Sequence, residues 1–312
     1  MRSLGIGVSP AMRGSEQRPQ GFDFMHGRLP SGASLSRASV ATAYDSGGHL
    51  AQFGIDQPRF EHDAVTGTLR GLLIEAAATN FVRSSDRIDA TAWTIASLAI
   101  DRDVAEGIDG AASASRLEDA DTGRFGVVSQ VMATTDPAVA SLYIRKDAVP
   151  STTRFAMLRL APDNDLRIDT MTGGFHSPSA TGGVIDAGDW WRFWVQASVA
   201  PGEIELYPAV GAGQLQWGYG TGATGAIEVS GIQVESGSRP TSLIRTDASI
   251  RSRAADVLTL NWGAQGVRDG ARSITCELAG NASLTTEIEI VGGRATVPIP
   301  PDGQPIRRIT LA

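Results

Sequence analysis

A chain of 312 residues, 42% of them hydrophobic, is long enough to bury one large or two modest cores, which excludes a disordered polypeptide. The net charge of −7 supplies no basic stripe to displace counterions from phosphates, so nucleic acid is not an expected partner. A single cysteine, Cys276, excludes an intrachain disulfide, and no run approaches the ~20 apolar residues that cross a bilayer.

With 36 Gly and 15 Pro breaking up short apolar runs, the chain favours short strands and tight turns over long helices, and the expected class is all-β. Residues 1 to about 21, rich in Gly, Ser, Arg and Pro, read as an arm that docks on a partner or stays a mobile tail. They lack the apolar centre of a signal peptide, so synthesis and folding in a bacterial cytoplasm are expected.

From Phe22 to Asn80 no apolar residues recur at helical spacing, and Gly, Ser, Pro and Asp interrupt the stretch every few positions. Such a ribbon cannot bury a core alone, so its order is expected from the following domain or a neighbouring copy of the chain. Within it, Asp45-Ser46-Gly47-Gly48 is a hairpin-type turn, Pro58-Arg59-Phe60 is extended, and Gly71-Leu72-Leu73-Ile74-Glu75 is a strand.

Strand-like runs follow: Ala92 to Ile100, Ala111 to Leu117, Gly123 to Ala133, Val139 to Lys146, Arg154 to Leu160, Leu166 to Thr170, Gly183 to Ile185, Trp190 to Val199, Ile204 to Pro208 and Ile227 to Glu235. Their spacing suits an antiparallel β-sandwich. In Trp190 to Gln196 the period of two sends Trp191, Phe193 and Val195 to the core. Trp190, Arg192, Trp194 and Gln196 then share the other face, which must meet solvent, a ligand or another subunit. Beyond Asn261, candidate strands Arg272 to Leu278, Thr285 to Ile290 and Arg294 to Ile299, joined at Gly280-Asn281 and Gly292-Gly293, predict a small antiparallel sheet. The expected division is an N-terminal arm and extended segment (1–80), a sandwich (81–260) and a small C-terminal β domain (261–312).

Ser36-Arg37-Ala38-Ser39, Pro58-Arg59-Phe60 and Gly71-Leu72-Leu73-Ile74-Glu75, in that order, resemble the opening segment of phage tail and head-spike proteins, including those of gene transfer agents. Tyr143-Ile144-Arg145-Lys146, the Trp190 strand, and the exit Glu235-Ser236-Gly237-Ser238-Arg239-Pro240-Thr241-Ser242 leading to Arg253-Ala254-Ala255-Asp256 resemble the jelly rolls of carbohydrate-binding modules and phage spikes. The resemblance spans about Phe22 to Leu260. It implies a virion component, a head spike or tail fibre, that attaches to a capsid or tail protein, meets a second spike or fibre protein, and binds host capsular polysaccharide. A homo-oligomer is expected with it, a pentamer at a capsid vertex or a trimer in a fibre.

Sugars are recognised by aromatic faces beside hydrogen-bonding side chains. The candidates are Trp190, Arg192, Trp194 and Gln196 on the outward strand face, and Trp217 and Tyr219 in a glycine-flanked loop. No catalytic residue is assigned: the carboxylates Asp119 and Asp121, and Asp163, Asp165 and Asp169, have turn-like spacing, and no nucleophile elbow occurs. No cofactor is expected beyond a structural calcium ion of the kind that related jelly rolls hold; the spacing defines no ligand set, with Asp119, Asp121 and Glu75 the carboxylates considered. The alternatives are a tail-spike depolymerase and a connector without glycan affinity.

Overall fold

A computed structural model of the chain describes residues 20–88, 91–146, 155–177, 180–211 and 223–312. The fold is all-β, and its sheets are antiparallel. No helix among the described residues is long and apolar enough to cross a membrane.

Two six-stranded sheets form the central sandwich. The first runs Thr181–Ala187, Trp190–Gln196, Ala138–Arg145, Gly225–Ser236, Ala112–Asp119, Ala99–Glu106. The second runs Phe175–His176, Asn164–Asp169, Phe155–Ala161, Glu203–Tyr207, Val127–Val131, Thr94–Ala96. Alternation along these strands aims Leu142, Ile144, Phe193 and Val195 from the first sheet at Leu158, Leu160, Leu166 and Leu206 from the second, and all are buried in one core. The strand Ala99–Glu106, mostly exposed, was not separable in the sequence, because its charged Asp101, Arg102 and Asp103 leave no apolar alternation to read.

The regions expected as 1–80 and 261–312 are packed as one body. Strand Gly21–Asp23 pairs with Ile306–Leu311, Ala33–Ser36 pairs with Val257–Asn261, and Ile306 faces Leu72 across the join between Leu69–Leu73 and the C-terminal strand. A second core then forms from Phe22, Phe24, Leu72 and Ile74 together with Leu258, Trp262, Ile274, Cys276 and Ile309. Phe22 meets Trp262 edge to face at 4.9 Å between centroids. This frame joins the two ends of the chain, and the sandwich is inserted between them. The order of the ribbon thus comes largely from the C-terminal strands, a partner that the sequence reading did not name.

Two glycine sites show why the local sequence is as it is. Gly71 has φ +134°, and a Cβ there would sit on the Ile306 carbonyl, so a side chain would part the N- and C-terminal strands. Gly292 and Gly293, with φ of 59° and 76°, supply the two left-handed positions of the expected turn that leads into Arg294–Thr296.

The sandwich leaves the frame at Asn80 and rejoins it at Arg251, where Ala78–Asn80 pairs with Arg251–Arg253. Asn80 itself closes the joint. Its amide donates to the carbonyls of Ile232 (3.1 Å) and Ile244 (2.8 Å), and its oxygen accepts from the N–H groups of Val82 (3.1 Å) and Val234 (3.0 Å).

Candidate functional site

The strand Trp190–Gln196 divides as its period requires: Phe193 and Val195 lie in the sandwich core with Trp191 packed against it, and the other four side chains face outward. That outward face is not free along its length. The hairpin formed by Ala41–Tyr44 and Leu50–Phe53 lies over its first half, where Leu50, Ile108, Tyr143, Ala187, Trp190 and Leu243 close a third apolar cluster. Trp190 is packed within that cluster and Arg192 is buried beside Tyr143, so the hairpin and its cluster leave neither a face for a sugar.

Arg192 is held in place by hydrogen bonds from Nη2 to Ser141 Oγ (3.0 Å) and to the Thr241 carbonyl (2.7 Å), and its guanidinium lies 5.2 Å from the Tyr143 ring centre. The Tyr143 hydroxyl in turn meets that of Tyr44 on the hairpin at 3.1 Å. The expectation that Trp190 and Arg192 form a sugar platform is therefore corrected: the chain's own ribbon covers them. Face assignment from the period was right, and what lies on that face could not be read from it.

Trp194 is placed differently. It stands outside the apolar clusters, beyond the hairpin, and pairs across the sheet with Ser141 and Gly183. A Cβ on Gly183 would meet the indole at 2.7–2.8 Å, so the ring lies flat over that glycine. Arg239, exposed in the exit turn, covers the ring with its guanidinium 4.6 Å from the centroid, and Trp194 is left 4% exposed. Gln196, two residues on, is half-buried on the same face. Gly183 and Arg239 were missed in the sequence reading, because only the strand register brings them to Trp194. Trp217 and Tyr219 lie outside the described residues.

Beneath the hairpin, residues from five of the motifs that carried the resemblance converge on one buried ion network. Asp256 accepts from Arg37 Nη1 at 2.9 Å through one oxygen, and from Arg59 Nη2 at 2.6 Å and the Glu75 N–H at 2.9 Å through the other. Glu75 Oε2 accepts from Arg59 Nη1 (2.8 Å), Arg253 Nη1 (2.5 Å) and Ser242 Oγ (2.6 Å), while Oε1 accepts the Ser242 N–H (2.8 Å). Arg37, Arg59 and Arg253 also donate to the carbonyls of Gly54, Thr42 and Ala76. The charged side chains of these pairs are 0–4% exposed. Buried charges are tolerated only when paired and hydrogen-bonded; here every charge is paired, while Arg59 Nε and Arg253 Nε alone in the network lack a hydrogen-bond partner. Five of the motifs contribute a member: Arg37, Arg59, Glu75, Ser242, and Arg253 with Asp256.

Within this network the oxygens of Glu75, one of the carboxylates considered for calcium, accept from guanidinium, hydroxyl and backbone N–H donors. Asp119 is likewise engaged, accepting the N–H of Asp121 (2.9 Å) and of Gly126 (2.6 Å) in its turn. Among the described residues, no group of three or more His, Cys, Asp or Glu is gathered as a metal site. Asp165 pairs with Arg159 at 3.3 Å, as does Glu205 at 3.0 Å, on the outer side of the second sheet. A cleft of about 590 Å³ between Ser39–Thr42 and Leu243–Asp247 is lined without any aromatic ring and so offers no stacking platform.

Two carboxylates beside the hairpin titrate in opposite directions. Burial drives the Glu75 carboxyl upward, but the charges of Arg253 and Arg59 and the hydrogen bonds of Ser242 overcome it and hold Glu75 at about 2. Burial pushes Glu61 up to about 7, against the Tyr44 N–H it accepts at 3.0 Å and with the Glu75 charge adding to the rise. A carboxyl whose folded pKa lies above its unfolded value takes up protons on folding, so its contribution to stability falls as pH rises from about 4.5 to 7. Urea melts from pH 5 to 8 are expected to show a loss of about 1–3 kcal/mol through Glu61. Glu61→Gln should flatten that part of the profile, and an unchanged slope in the variant contradicts the assignment.

A scan against protein-family models and a search of curated proteins each returned no match for this chain.

Proposed function

We propose that the chain is a non-enzymatic structural component of a phage-like particle, a head spike or tail fibre, that attaches to host surface polysaccharide through its sandwich. The observation that carries this reading is the Trp194 indole, laid flat on Gly183 outside the apolar clusters, with only the exposed Arg239 side chain seen over the ring and Gln196 beside it. An aromatic face next to a hydrogen-bonding amide is the chemistry by which proteins grip a pyranose ring. The ion network supports the mechanical part of the reading, since it ties hairpin, frame and exit segment into a rigid mount. The proposed place is the particle surface, beside a capsid or tail protein, as a homo-oligomer.

One observation favours the connector reading instead. Arg145, Lys146 and Arg239 lie over Trp190, Trp191 and Trp194, so the chain's own cations occupy the ring faces. The full-length protein, titrated with purified capsular polysaccharides and followed for new reducing ends, separates the readings. Saturable binding with no release of ends is expected. Sustained release points to a depolymerase. No binding, together with unchanged particle adsorption in Trp194→Ala and Trp217→Ala, points to a connector.

A further inference from the structure

We infer that Arg239 is a lid on the Trp194 sugar platform, displaced when a neutral pyranose ring stacks on the indole. The inference rests on the glycan-binding reading proposed above. Gly183 fills one face of the ring, so the guanidinium 4.6 Å from the centroid covers the other. The covering group is held lightly. Arg239 is exposed, makes no hydrogen bond or ion pair to other described residues, and sits in the turn after Gly225–Ser236 beside Gly237, whose φ is +132°. The contrast with Arg192 is direct, since Arg192 is anchored to Ser141 and Thr241 and cannot swing away.

An exposed cation over an indole is a weak contact, one that biases the closed form over the open form by only about two- to fivefold. A lid of that strength tunes affinity without blocking it, because a ligand that needs the open form sees its dissociation constant raised by the same factor. It also keeps an apolar ring face from water when no glycan is present.

The test uses the full chain and its Arg239→Ala variant, which alters an exposed side chain and leaves the core untouched. Without ligand, acrylamide quenching of tryptophan fluorescence should rise in Arg239→Ala, and the rise should vanish in Arg239→Ala/Trp194→Phe. On an array of neutral oligosaccharides, Arg239→Ala should bind about two- to fivefold more tightly than the natural chain. If quenching does not rise, or if the natural chain binds and the variant binds equally or less well, the lid is overturned while the glycan reading stands. If neither protein binds any oligosaccharide on the array, the glycan reading falls and the lid falls with it.

Discussion

Glu75→Ala should lower the stability of the chain by about 3–5 kcal/mol, read as a shift in urea midpoint at pH 7. The size follows from what is left behind. Arg59 and Arg253 both point at Glu75 from positions that are 0% exposed, and neither has water to turn to. Removing the carboxylate leaves two guanidinium groups crowded beside one remaining acid, Asp256, which already serves Arg37 and Arg59. The loss is therefore the cost of stranded charge and not the worth of a single ion pair. The variant should also lose the acid limb of the pH profile, since Glu75 contributes stability above about pH 4.5 that fades as pH falls toward 2. A shift below about 1 kcal/mol would mean that the network relaxes around the hole and does not hold the fold together.

Trp262→Ala should cost a comparable amount, about 3–5 kcal/mol, by a different mechanism. The ring is 0% exposed, sits edge to face with Phe22, and shares its core with Leu72, Ile274, Cys276 and Ile309. Its removal leaves a cavity between strands from opposite ends of the chain, and neither set of strands can collapse without drawing the other with it. The sandwich keeps its own separate core of Leu142, Leu158, Phe193 and Leu206.

Much of the secondary structure was legible because it is local. Period-two alternation marked Trp190–Gln196 and its faces, and paired glycines marked the turn at Gly292-Gly293. Long-range pairing was not legible. Nothing in Gly21–Asp23 names Ile306–Leu311 as its partner, because a strand edge offers the same N–H and C=O groups to any neighbour. For the same reason 1–80 and 261–312 read as separate regions although their apolar residues fill one core.

The candidate site was legible in part. The outward face of the Trp190 strand was found, but the hairpin that hides Trp190 and Arg192 comes from about 140 residues earlier, and only folding brings it there. The motif residues Arg37, Arg59, Glu75, Arg253 and Asp256 were noticed as a pattern, yet their shared role emerged only when the backbone gathered them within hydrogen-bond reach. Arg and Glu in isolation read as surface residues, and a buried lattice of them has no signature at any fixed spacing.

Residues 20–80 and 257–312 form a single cooperative body that carries the sandwich. Hydrogen exchange on the natural chain and on Trp262→Ala tests this most directly. The substitution is expected to lower amide protection together in Gly21–Asp23, Leu69–Leu73, Val257–Asn261 and Ile306–Leu311, while Ala138–Arg145 and Phe155–Ala161 keep theirs. Loss confined to the C-terminal strands, with Gly21–Asp23 and Leu69–Leu73 still protected, would contradict it.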